Sequence, residues 1–127
     1  MATPIFDWSA FLTLAKTLGT ASDEASQRTS ISRAYYCAYH KASERAVLTG
    51  YIDEKSHYKL WDVYNRNSSD PACRKLRDLG TRMHKERKAA DYERTVIRLP
   101  DRVVAQLNRA NQFLSQLSAI GSGLPRP

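Results

Sequence analysis

The stretch Arg28–Ala42, RTSISRAYYCAYHKA, decides the reading of this chain. It holds no Gly or Pro, and spacings of three, four and seven residues divide it into two stripes, which predicts a helix. Ile31, Tyr35, Ala38 and Ala42 make a small, apolar stripe fit to lie against neighbouring helices. Arg33, Tyr36 and His40 make the other, bringing an always-charged guanidinium, a phenol and an imidazole to one side. The fold is set by the first stripe, and the search for chemistry starts from the second.

Working outward, the same periodicity predicts five helices and no strand. Asp7 is positioned as an N-cap for a first helix with Trp8, Phe11, Leu12, Ala15 and Leu18 on its inner face, stopping near Gly19. Ser22 or Asp23 opens the long second helix, which runs to about Thr49. Ser56 caps a short third helix in which His57, Leu60, Trp61 and Tyr64 share a stripe. The clearest break is NSSDP, Asn67–Pro71, where Asp70 serves as cap and Pro71 as first helical residue of a fourth helix running to about Arg94. Leu99-Pro100-Asp101 begins a fifth, with Val103, Val104, Leu107, Ala110, Phe113, Leu114 and Leu117 on its apolar face. The expected fold is all-α, a four- to five-helix antiparallel bundle over residues 1–118, followed by a disordered tail over 119–127.

The 127 residues suffice for one core, and 42% hydrophobic with 26% charged residues describe an ordinary soluble globular domain. No apolar run is long enough to span a membrane, and MATPIFDWSAF lacks the pattern of a secretory signal. Cys37 and Cys73 lack zinc-site spacing and point to a reducing, cytoplasmic setting. No motif for a metal, a nucleotide phosphate loop or a nucleophilic serine is present, so no cofactor is expected. Twenty Lys and Arg against thirteen Asp and Glu leave a net charge of +7, which directs attention to an acidic partner, RNA or DNA first.

The fourth helix carries a second anomaly. Its inner stripe begins with Leu76, Leu79 and Met83, yet the same azimuth continues through Arg87, Ala90 and Arg94. Arg87 therefore turns toward the core side, where an unpaired guanidinium is costly. His84 and Asp91 flank it at i−3 and i+4, and Tyr92 adjoins them; a pairing of Arg87 with Asp91 within the helix is one outcome of that spacing. Arg74, Lys75, Arg77, Arg82, Lys85 and Lys88 surround it with positive charge. Of these, Arg74, Lys75, Arg82, Lys85 and Lys88, with His84, are candidates for binding a phosphate backbone, and nearby rings suit splayed bases. The plainer alternative is a solvated basic face.

Arg33 and His40 stand roughly 10 Å apart along their helix, too far for contact but suited to a phosphodiester lying between them. There Arg neutralises charge on phosphorus and His passes protons. The plainer alternative for His40 is a hydrogen-bonded core or interface histidine. His57 reads best as a capping or buried residue beside Trp61.

These blocks resemble the HEPN superfamily of small helical bundles. The likeness is closest to a stand-alone branch with the pattern R-S-A-I-S-R-A-Y-Y-A-A-[FY]-H-A-A, here Arg28–Ala42. Gly50, Ser56-His57 and the run Arg87-Lys88-Ala89-Ala90-Asp91-Tyr92 extend it over most of the chain. The resemblance implies a homodimer in a prokaryotic toxin–antitoxin, defence or stress system, with a nucleotidyltransferase or an antitoxin protein as partner. It also implies a metal-independent endoribonuclease with an R-x4-6-H motif. Arg33 and His40 fit that spacing, although Ala34 follows Arg33 where active relatives usually carry Asn, Asp or His. Many relatives place the motif on a later helix, where this chain has Arg87 but Asp91 or Tyr92 in place of the His. Arg33, His40 and Arg87 are thus the catalytic candidates, with Tyr36, Asp91 and Tyr92 as accessory groups. A non-catalytic module binding RNA, a nucleotide or the partner is the alternative, and modification of a tyrosine such as Tyr92 by the partner is a third.

Overall fold

A computed structural model describes residues 3–127. Its five helices are α1 (Ser9–Gly19), α2 (Glu24–Val47), α3 (His57–Arg66), α4 (Pro71–Tyr92) and α5 (Leu99–Ala119), with no strand among the described residues. Three start where short-range chemistry dictates. The Asp23 side chain accepts from Ser26 N at 2.9 Å, Ser56 Oγ from Lys59 N at 3.2 Å and Asp70 from Cys73 N at 3.0 Å, each satisfying an orphan donor of a first turn. Asp7 takes Ser9 N at 2.9 Å, two residues on, and its carboxylate also meets Lys41 at 3.0 Å, which ties the start of α1 to α2.

Helix α2 is the hub and packs on all four others. It buries more than the single expected stripe: Ala34, Cys37 and Tyr39 are enclosed along with Ile31, Tyr35, Ala38, Ala42 and Ala46. The small side chains let several neighbours approach, and Ser30 Oγ, fully buried, donates to Ala15 O of α1 at 2.6 Å. On the opposite side Gln106 of α5 donates to Met83 O at 3.1 Å and Ile31 O at 3.4 Å, bridging three helices through the core. Both cysteines are buried free thiols, and burial pushes the Cys73 thiol up to about 11.

Two expectations are corrected. Helix α4 ends at Tyr92 instead of Arg94. The cause is Arg28, the first residue of the diagnostic stretch, whose guanidinium donates to the carbonyls of Ala90 at 2.9 Å, Glu93 at 2.6 Å and Arg94 at 3.2 Å. It takes up acceptors that the helix end leaves open. The expected disordered tail is docked instead. Arg45 donates to the carbonyls of Ile120, Gly121 and Leu124, Thr49 to that of Pro125, and Asn67 exchanges two hydrogen bonds with Arg126. Ile120 and Pro125 are buried beneath this strap. Among the described residues no helix is long and apolar enough to cross a membrane.

Candidate functional site

Helices α2 and α4 bring their inward arginines together on Tyr36. The guanidinium carbon of Arg33 lies 5.1 Å from its ring centroid and that of Arg87 lies 5.2 Å away. Arg33 also covers Phe11 of α1 at 4.8 Å, and Arg87 covers Tyr92 at 5.2 Å. Each such contact contributes roughly 0.5–2 kcal/mol, more as water is excluded. The inward turn of α4 thus ends in an aromatic slot shared with α2.

One carboxylate serves both cations. Arg87 Nε stands 2.8 Å from Asp91 Oδ2, the same-helix pairing that the spacing allows, but its N–H is not aimed to form a hydrogen bond. The contact is an ion pair, and the buried Nε–H remains an unused donor. Ser32 Oγ donates to the same carboxylate at 3.2 Å, and Arg33 Nη2 reaches Ser32 Oγ at 3.5 Å. A polar chain therefore runs Arg33–Ser32–Asp91–Arg87 around Tyr36. Burial opposes the charge on Arg87, and Tyr36, Asp91 and Tyr92 outweigh it, so its pKa is raised.

The three histidines of the chain border this cluster. His57 and His84 are stacked, with ring centroids 4.6 Å apart and planes 8° from parallel, and His84 also stacks on Tyr35 at 5.1 Å. Trp61 Nε1 donates to the Tyr35 hydroxyl oxygen, Oη, at 3.1 Å, and that hydroxyl lies 2.6 Å from His57 Nδ1. Tyr35 Oη thus accepts from Trp61 Nε1 and shares a second hydrogen bond with His57 Nδ1, whose direction follows the His57 tautomer. His40 stands at the outer edge, stacked on Trp8 at 3.6 Å and 6.0 Å from the Tyr36 ring. Arg33 and His40 share Phe11 and Tyr36 as neighbours, and no hydrogen bond joins them among the described residues. The structure brings Arg33 and Arg87 together and draws His57 and His84, more than His40, toward Arg87.

Burial favours the neutral form of all three imidazoles. Burial lowers the pKa of each, reinforced for His57 by Arg87 and Lys88 and for His84 by His57, Lys88 and Arg87, which takes His84 to about 4. The unfolded imidazole protonates near 6.5, so the unfolded state takes up this proton first as pH falls. The stability conferred by neutral His84 is complete above pH 6.5 and is lost on descending toward pH 4. The thermal midpoint is therefore expected to fall between pH 7 and pH 4.5, with the His84 ring protons still reporting a neutral imidazole at pH 5.5 by NMR. A His84 titration centred near 6.5 would contradict this arrangement.

Arg74, Lys75, Arg82, Lys85 and Lys88 are exposed on α4. Arg82 reaches Glu86 at 3.4 Å, whereas Lys88 borders a hollow of about 500 Å³ that also touches His84, Arg77, Trp61 and Tyr58. The exposed rings of Tyr58 and Tyr92 lie at α3 and at the end of α4. His57 and Ser32 are the cleft members that the sequence reading passed over as functional groups. The stripe His57, Leu60, Trp61, Tyr64 already turned His57 inward, while nothing local singles out Ser32. Among the described residues no three metal-ligating side chains come together. No protein-family model, curated protein or solved structure matches this chain.

Proposed function

We propose that this chain is an RNA-directed protein of the HEPN type whose Arg33–Tyr36–Arg87 cleft seats a phosphodiester of single-stranded RNA. The observation that carries the reading is the pair of guanidiniums on one phenol ring with a single carboxylate between them. Such a site keeps a positive excess, because Arg33 and Arg87 share the carboxylate of Asp91, one directly and one through Ser32. Guanidinium forks match phosphate oxygens, Lys88 and the exposed α4 cations extend the positive track, and Tyr58 and Tyr92 offer faces on which bases stack. The likeness of Arg28–Ala42 and Arg87–Tyr92 to HEPN patterns supports a homodimer in a toxin–antitoxin or defence setting, with a nucleotidyltransferase or antitoxin protein as partner.

The imidazole of His84, stacked on His57 and three residues from Arg87 on α4, supports a second reading, cleavage without a metal. His84 takes the proton of the RNA 2′-hydroxyl, the 2′-oxygen bonds to phosphorus, and the bond to the 5′-oxygen breaks with a proton supplied by water. Arg33 and Arg87 stabilise the charge that develops on phosphorus. Labelled single-stranded RNA in EDTA tests both readings. Contacts from Arg33, Arg87 and Lys88 predict an affinity falling roughly 20-fold between 50 and 200 mM salt. Products ending in a 2′,3′-cyclic phosphate identify the nuclease, intact bound RNA identifies the binding module, and absence of salt-dependent binding would overturn both.

A further inference from the structure

A second concentration of positive charge lies between α4 and α5, away from Tyr36. A recess of about 450 Å³ is lined by Arg82, Lys85, Arg98, Arg102 and Arg109 against only Glu86 and Asp101, an excess of three positive charges out of the +7 of the whole chain. Its organiser is Glu86, only 5% exposed. Arg102 places Nε 2.9 Å and Nη2 2.8 Å from Glu86 Oε2, and Arg82 Nη2 lies 3.4 Å from Oε1. One buried carboxylate thus holds two guanidiniums from different helices at the recess. Among the described residues Lys85, Arg98 and Arg109 form no ion pair, so their charge faces the hollow uncompensated.

Two further features mark this place as under tension. Arg98 has φ +54°, the left-handed region, which is strained for a residue with a side chain. Arg109 is half-buried, and burial and repulsion from Arg82, only partly offset by Glu86, lower its pKa. A solvated basic face needs neither a buried organising carboxylate nor arginines gathered from the loop, α4 and α5.

We propose that this recess is an anion site for a multiply charged phosphate group, a phosphomonoester or a pyrophosphate. A phosphodiester brings one charge, whereas a terminal phosphate brings nearly two and a pyrophosphate more, closer to the excess present. Convergent guanidinium forks suit three or more phosphate oxygens. Two sources share this chemistry: the 5′ end of an RNA and the phosphates of a free nucleotide. The first rests on the RNA reading above and continues its track across α4; the second stands without it.

Calorimetry with inorganic pyrophosphate at low salt tests the site itself. Binding to the wild-type chain is expected, weakened at least about tenfold in Arg98→Asn/Arg109→Gln. Asn accepts the left-handed backbone at position 98, and Arg98→Asn alone, on an exposed residue, keeps the test meaningful should Arg109→Gln destabilise the fold. Matched RNAs with a 5′-phosphate or a 5′-hydroxyl assign the source. Tighter binding of the phosphorylated RNA, abolished by the variant, identifies an RNA end. Pyrophosphate binding without that preference identifies a free nucleotide. Failure of pyrophosphate to bind, or equal binding by folded variants, would overturn the proposal, whatever the RNA does at Tyr36.

Discussion

Gly80→Ala is expected to lower stability by about 2–3 kcal/mol, and the thermal midpoint by roughly 10 °C. The sign is the opposite of that for an exposed helical glycine, where alanine gains up to about 1 kcal/mol. A Cβ at position 80 would lie 2.3 Å, 2.5 Å and 2.7 Å from three atoms of the Trp61 ring. That ring cannot swing aside cheaply: it is buried, packs edge-on against Phe113 at 5.8 Å, and spends its N–H on Tyr35. The loss thus reaches the site, because Trp61, Tyr35 and His57 are linked in series. Thermal melts of Gly80→Ala, Trp61→Leu and the double variant check the mechanism, since the smaller Leu should remove most of the penalty of the Cβ. A Gly80→Ala midpoint equal to or above that of the wild type would contradict the close packing of α3 on α4.

The second large effect belongs to the cleft. Arg33→Gln and Arg87→Gln are each expected to weaken RNA binding about tenfold and to reduce the steepness of its salt dependence, one lost phosphate contact at a time. Neither removes apolar core, but each gives up two cation–π contacts and Arg87→Gln also the Asp91 pair, a loss of about 1–4 kcal/mol, so affinities are compared on variants whose far-ultraviolet circular dichroism matches that of the wild type. Asp91→Asn should act in the reverse direction. It withdraws the one carboxylate that Arg87 pairs with and that Ser32 links to Arg33, leaving both guanidiniums freer for phosphate and raising affinity a few-fold. A merely solvated basic face predicts a fall with each lost cation but little gain from Asp91→Asn. The reciprocal pair of effects therefore separates a built site from diffuse charge.

What the sequence made legible is mostly what short-range physics decides. Asp23, Ser56 and Asp70 cap their helices because an acceptor just ahead of an apolar repeat has three-residue reach. Arg87 betrayed itself by azimuth, since the stripe through Leu76, Leu79 and Met83 leads to it. The rest depends on partners far along the chain. Arg28 closes α4 more than sixty residues away, and Arg45 pins a tail that composition alone describes as loose. Neither reach leaves a trace in local periodicity. His40 shows the same limit: its spacing from Arg33 suits a shared phosphate, but Trp8, brought in by α1, claims its ring face. His57, turned inward by its stripe, becomes part of the site only because α4 sets His84 upon it.

The cleft at Tyr36 is the centre of this account, and the affinity of the Arg33→Gln/Arg87→Gln double variant for single-stranded RNA in EDTA tests it most directly. With an unchanged far-ultraviolet circular dichroism spectrum, the affinity is predicted to fall about 100-fold relative to the wild type at the same salt. A folded double variant that binds RNA as tightly as the wild type would contradict it.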